Sequence, residues 1–211
     1  VNNFSIKLNY PKYTNRKNEN LKNIGNLQVP QGTKIKWSIA AKESEKVYIR
    51  FEESIECMRV GKDDFEYQSI FLKNTSYSLV AQNNFLLGDS ILYEINVIPD
   101  AYPSIKVKET LDSINTMWHY FEGYAEDDYG IKELLFKYRF LDDTSKWVSD
   151  LVQLTNKSNK QSFSYAIDFQ DLGLKYGVGL EYFFEVWDND GINGSKSTKS
   201  SLFNFQAASV D

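Results

Sequence analysis

The sequence predicts an all-β fold divided between two sandwiches, and three observations predict it. Aromatic residues make up 15% of the 211-residue chain, with 14 Tyr, 14 Phe and 4 Trp, a mixture that fits pleated, half-buried surfaces better than helices. Apolar and polar residues alternate with a period of two over most of the length. The alternation stops at Pro99-Asp-Ala-Tyr-Pro103 and begins again beyond it.

The elements follow in order. Phe4, Ile6 and Leu8 alternate with polar neighbours, and Thr33–Ile39 repeats the pattern with Ile35, Trp37 and Ile39 inward. Lys46–Phe51, Phe65–Leu72, Ser76–Ala81 and Ile91–Ile98 continue it. Turn residues at Val29-Pro-Gln-Gly-Thr33, Gly61-Lys-Asp-Asp64 and Leu87-Gly-Asp89 punctuate the runs. About seven strands in the first hundred residues suit one immunoglobulin-type sandwich. The two prolines of Pro99–Pro103 remove backbone donors and favour extended geometry, as expected of a junction. Beyond it, Ser104–Val107, Thr116–Ala125, Ile131–Phe140, Trp147–Leu154, Ser162–Phe169, Leu180–Trp187 and Leu202–Phe205 read as a second set of strands. Lys108–Ile114 is the one stretch that suggests a helical turn. The domains expected are therefore residues 1–99 and 100–211, two tandem immunoglobulin-like antiparallel β-sandwiches of the fibronectin III or cadherin type.

The halves also resemble each other. Ala41–Phe51 can be laid on Ala125–Phe136: a strand ending in alanine, an acidic turn and a returning apolar strand. Ile91–Asp100 can be laid on Leu180–Asn189, which puts Tyr93 opposite Tyr182. A tyrosine near the start of the penultimate sandwich strand can fold its hydroxyl back onto corner backbone.

Charge and composition exclude several functions. A net charge of -5 and a pI near 5.1 oppose nucleic-acid binding, which calls for a basic face. No Lys/Arg run exceeds two residues, and no apolar stretch approaches 18, so the segment is not expected to enter or coat a membrane. The chain opens directly in a strand-like segment without a signal pattern at Val1, as expected of a part of a longer protein whose targeting or anchoring segment lies elsewhere. The single cysteine, Cys57, allows no internal disulfide and reads as a small residue on one face of a strand.

Catalytic constellations are sparse. His119 is the only histidine and lies in the alternating stretch Trp118-His-Tyr-Phe121, where packing beside aromatics or facing solvent accounts for it better than a triad. The carboxylates Glu126, Asp127 and Asp128 lie together in one turn rather than across a cleft, the arrangement glycoside hydrolysis needs. No catalytic residue and no cofactor is therefore assigned. Asp188-Asn-Asp-Gly-Ile-Asn-Gly194 resembles the opening of an oxygen-rich calcium loop, and Asp127 and Asp128 would add oxygens if the two loops share an end of the sandwich. The simpler account is turn formation by Asp, Asn and Gly. A calcium-stiffened junction would also draw acids from the linker, which offers only Asp100. Trp147 and Tyr129 look more exposed than Trp37 and are the aromatics considered for sugar stacking. Ser195–Ser201 has linker-like composition and reads as a solvated hairpin.

Tyr10-Pro-Lys-Tyr-Thr14, Val29-Pro-Gln-Gly-Thr33 and Trp37 resemble the first of two sandwich modules in a family of large bacterial membrane proteins, domain-of-unknown-function family 4175. Ala125-Glu-Asp-Asp-Tyr-Gly-Ile131 and Tyr182-Phe-Phe-Glu-Val-Trp-Asp-Asn-Asp-Gly191, with Asn193-Gly194, resemble the second. The resemblance implies N-terminal transmembrane helices and a long C-terminal region outside this chain, and a periplasmic or cell-surface location. It supplies no catalytic residues. The expected function is that of a non-catalytic structural or protein-interaction module, partnered by other envelope proteins or other regions of the parent. The alternatives are a carbohydrate-binding module and a calcium-stiffened adhesive pair.

Overall fold

The computed structural model describes residues 3–83, 90–142, 146–155 and 158–208, and it is all-β apart from one 3-10 turn at Lys12–Thr14. The chain divides into two compact units, Val1–Asp100 and Ala101–Asp211. The turn read at Leu87–Asp89 lies outside the described residues.

The described residues of the first unit form ten strands: β1 (Phe4–Asn9), β2 (Glu19–Lys22), β3 (Leu27–Pro30), β4 (Thr33–Ala40), β5 (Lys46–Arg50), β6 (Ser54–Glu56), β7 (Met58–Arg59), β8 (Asp64–Phe71), β9 (Thr75–Gln82) and β10 (Leu92–Ile98). One sheet runs β2-β1-β4-β8-β7 and the other β3-β10-β9-β5-β6. This is the immunoglobulin arrangement, four strands (β1, β4, β8, β7) in one sheet and the β5-β9-β10 set in the other. The alternation does its expected work. Phe4, Ile6 and Leu8 of β1 and Ile35, Trp37 and Ile39 of β4 all turn inward, with Ile6 paired to Trp37. They meet Val47, Ile49, Tyr77 and Ile95 of the opposite sheet in a single core. The Trp37 ring stands edge-on to Tyr77 at 5.2 Å and to Phe71 at 5.8 Å.

Between β1 and β3 the chain crosses from one sheet to the other, and β3 then pairs in parallel with β10. Gly25 lies in that crossing. A Cβ there would fall inside the Tyr93 ring, so only glycine lets the chain pass beneath it.

The described residues of the second unit form eight strands: β11 (Ser104–Leu111), β12 (Trp118–Glu126), β13 (Ile131–Phe140), β14 (Val148–Val152), β15 (Lys160–Asp168), β16 (Gly179–Asp188), β17 (Ser197–Lys199) and β18 (Phe203–Gln206). One sheet is β11-β12-β15 and the other β14-β13-β16, with β17 and β18 both pairing the far edge of β16. Phe121 and Ala125 from the first sheet meet Leu134, Phe136, Tyr182, Phe184 and Val186 from the second in a core dominated by rings.

Three expectations are corrected. Lys108–Ile114 holds no helical turn: Lys108–Leu111 continues β11, paired with Glu122–His119. Beyond it Asp112 Oδ1 accepts the amides of Ile114 and Asn115, both at 2.8 Å. Ser195–Ser201, read as a solvated hairpin of linker-like composition, holds an edge strand: it contains β17, which pairs antiparallel with β16, and Ser197 Oγ donates to Glu185 at 2.9 Å. The internal match is one strand out of step near the end of each unit. Tyr93 belongs to β10, the last strand of its unit, whereas Tyr182 belongs to β16, which β17 and β18 follow. The counterpart of Tyr182 is Tyr77 in β9, and both are fully buried. The earlier match stands: β4 to β5 and β12 to β13 are both crossings between sheets through an acidic turn.

Candidate functional site

The two acid-bearing loops of the second unit do lie side by side. Ile131 pairs with Asp188 at a bulge in the β13–β16 ladder, and Asn189 Nδ2 donates to the Tyr129 carbonyl at 3.2 Å. That brings Asp127, after β12, next to Asp188 at the end of β16. Both are buried, and so is Asp190.

Their polar atoms are spent mainly on the chain itself. Asp127 Oδ2 accepts the amides of Tyr129 and Gly130 at 2.9 and 2.8 Å, the bonds that shape the 126–130 turn. Asp188 Oδ1 accepts the amides of Asp190 and Lys196, and Asp190 Oδ1 those of Ile192 and Asn193. The Lys196 ammonium stands between the two carboxylates, 2.9 Å from Asp188 Oδ2 and 3.1 Å from Asp190 Oδ2. Positive charge at this end of the sandwich thus comes from the chain. Among the described residues no group of three or more acidic, His or Cys side chains is arranged to hold a metal ion. Asp128 stays at the surface and its Oδ2 accepts the Ala101 amide at 3.4 Å.

The electrostatics of Asp127 and Asp190 differ. Burial raises the Asp127 carboxyl above its ordinary range; the two amides oppose this and the negative charges of Asp128 and Asp188 add to it. Burial pushes the same way on Asp190, but the amides of Ile192 and Asn193 and the Lys196 ammonium outweigh it and hold this carboxyl low. Asp127 Oδ1 is buried and has no hydrogen-bond partner.

His119 is fully buried, in the core rather than in a cleft. Its ring stacks on Phe169 at 3.9 Å, and Nδ1 lies 2.6 Å from Glu109 Oε1. The same Glu109 oxygen accepts the Tyr182 hydroxyl at 2.5 Å. The arrangement knits β11, β12 and β16 together. Cys57 is buried and free, and burial pushes its thiol up to about 11, away from nucleophilic thiolate chemistry. In the other candidate acids, Glu126 pairs with Lys160 at 3.4 Å on the exposed face, away from Asp127 in burial and in partners.

Trp147 is 37% exposed but committed on both sides: its ring meets Phe183 at 4.7 Å and the Arg139 guanidinium at 4.7 Å. Tyr129 is half-buried in the acidic turn. The sequence reading missed Trp118, Tyr120 and Tyr124, which share the outer face of β12. Trp118 and Tyr120 lie nearly parallel, at 22° with centroids 6.1 Å apart. The signal was there in the alternation of Trp118–Ala125, but His119 and Phe121 make the opposite face aromatic too, so the inward face was not decided by composition.

Comparison with family models and with curated proteins finds no match. Among solved structures the chain is similar to the fibronectin(III)-like modules of CbhA from Clostridium thermocellum, at 12% identity and a TM-score of 0.29, covering 88% of this chain and 91% of that one. It is also similar to a Bacteroides uniformis protein proposed to bind carbohydrate, at 12% identity and a TM-score of 0.34, covering 80% of this chain and 91% of that one. The sandwich assignment rests on the chain's own sheets. No helix among the described residues is long and apolar enough to cross a membrane.

Proposed function

We propose that the chain is a non-catalytic structural and protein-interaction module, the extracytoplasmic segment of a larger membrane-anchored bacterial envelope protein. The observation that carries the non-catalytic part is the Lys196 ammonium seated between Asp188 and Asp190. Asp188 and Asp190 are paired with Lys196 and hydrogen-bonded within their own loop, and Asp127 accepts two amides of its own turn, so these acids set the end of the sandwich. The resemblance to domain-of-unknown-function family 4175 supports a membrane-anchored parent and a periplasmic or surface location. Other envelope proteins or other regions of the parent are the partners this reading implies.

Two measurements test it. Alkaline phosphatase, active only outside the cytoplasm, is fused after Asp211 in the intact parent; the fusion is active if the segment is extracytoplasmic, and a silent but stable fusion overturns that part. The 211-residue protein is assayed against chromogenic esters, glycosides and phosphoesters. No turnover above buffer is expected, whereas turnover abolished by Asp127→Asn would overturn the non-catalytic part.

A carbohydrate partner is favoured by one observation, the parallel pair Trp118 and Tyr120.

A further inference from the structure

β12 is the central strand of the β11-β12-β15 sheet, and every second residue along it faces outward: Trp118, Tyr120, Glu122 and Tyr124. The positions opposite them on β15 are Asp168, Ala166, Ser164 and Ser162. A row of tall side chains therefore runs beside a row of small ones, and the difference in height makes a trough along β15. The trough opens into a hollow of about 470 Å³ beside Glu122 and Tyr124. Tyr120 is 42% exposed, and its ring and that of Trp118 present nearly parallel faces.

The chemistry of this face selects a ligand class. Its outward charges are Lys106, Lys108 and Lys160 against Glu122, Glu126 and Asp168, three of each sign, so the face as a whole carries no net charge. A polyanion such as nucleic acid needs a cationic surface, and so does an anionic lipid headgroup. A neutral chain with flat apolar faces and a polar rim fits instead: pyranose C–H faces lie on aromatic rings, while hydroxyls meet carboxylate, ammonium and serine groups. The aromatic row from Trp118 to Tyr124 spans about 20 Å at the rise of a strand, the length of a short oligosaccharide rather than of a single sugar.

We propose that the outer face of the β11-β12-β15 sheet binds a neutral polysaccharide chain lying along the trough, with Trp118 and Tyr120 stacked on sugar faces and Glu122 and Ser164 hydrogen-bonded to hydroxyls. The site stands apart from the module's place in a membrane-anchored parent, so the two proposals succeed or fail separately.

Affinity electrophoresis of the 211-residue protein tests it, in native gels cast with hydroxyethyl cellulose, xylan, galactomannan or dextran. At least one of these slows the wild-type protein. Tyr120→Ala weakens that retardation by about tenfold, the loss of one stacked ring. Ser164→Arg fills the trough and abolishes retardation without touching an aromatic residue, while Tyr102→Ala, an exposed tyrosine off this sheet, leaves it unchanged. Thermal unfolding matched to wild type shows that the variants are folded; both positions face solvent, so their folding is expected to hold. Migration unaffected by all four polysaccharides overturns the proposal. So does equal retardation of wild type and Tyr120→Ala, or retardation only by a polyanion such as polygalacturonate.

Discussion

The Tyr77 hydroxyl donates to the carbonyl of Gly25 at 2.8 Å, joining positions 52 residues apart, and the ring it carries is fully buried. Burial also pushes this phenol well above its ordinary range, so it stays a neutral donor across the accessible pH range. The bond fixes the crossing of the chain from β1 to β3 beneath Tyr93. Tyr77→Phe leaves a buried carbonyl without its donor and is expected to lower stability by about 1–2 kcal/mol. Gly25→Ala is expected to be worse, about 3 kcal/mol, because the added methyl collides with the Tyr93 ring. Urea denaturation of the two variants checks the ranking.

In the second unit the equivalent tyrosine reaches a side chain instead. Tyr182 and His119 converge on one Glu109 oxygen, so removing the hydroxyl strips a half-buried carboxylate of a donor. Tyr182→Phe is expected to destabilise this unit by about 2 kcal/mol. Glu109→Gln keeps an acceptor for the hydroxyl and is expected to lose less. The same denaturation measurement, followed through the transition of the second unit, separates the two.

Asp127 and Asp190 predict opposite pH dependences. The Asp127 carboxyl is raised, so the fold favours its protonated form and loses stability as pH climbs through its folded value, which lies above about 3.9. Asp127→Asn keeps the oxygen that caps the turn and removes the charge beside Asp188. Its stability at pH 7 is expected to equal or exceed wild type by up to about 1 kcal/mol, with the gap closing toward pH 4. The Asp190 carboxyl is lowered, so its contribution is present above about 3.9 and disappears as pH falls through its lower folded value. Unfolding curves of wild type, Asp127→Asn and Asp190→Asn between pH 2 and 7 read both signs.

Lys196 serves two buried carboxylates at once. Lys196→Met leaves Asp188 and Asp190 without their counter-charge, and the expected loss is about 3 kcal/mol, the usual size for a broken buried pair. Asp190→Asn in the Lys196→Met background recovers part of it, which a double-mutant cycle measures.

The long strands were legible because their inward residues are uniformly apolar: Phe4, Ile6 and Leu8, or Ile35, Trp37 and Ile39, admit one register only. Short edge strands such as β2, β6 and β7 were not, since their side chains are largely exposed and their pairing is set by backbone groups of a neighbour. Lys108–Leu111 was misread for the same reason, its strand geometry being imposed by β12 across the ladder. Tyr93 was matched to Tyr182 because both precede a Glu or aromatic run ending in Asp, whereas the equivalence lies in position within the sheet, which Tyr77 holds. The acidic loops were legible as turns, but that they share an end of the sandwich was not, because it is set by the β13–β16 pairing that puts Ile131 opposite Asp188. Their content was not, because nothing in the spacing of Asp188 and Asp190 shows that Lys196 folds back between them. The outer aromatic row on β12 was hidden by an equally aromatic inner row.

The non-catalytic reading rests on acids that hold the fold rather than a ligand, and calorimetric unfolding of the wild-type protein in chelator and in millimolar calcium tests that most directly. Lys196 already fills the space between Asp188 and Asp190, so the two melting curves are predicted to coincide. A metal at a hundredfold its dissociation constant would add about 2.7 kcal/mol, and a rise in melting temperature of that size, lost in Asp188→Asn, would contradict the account.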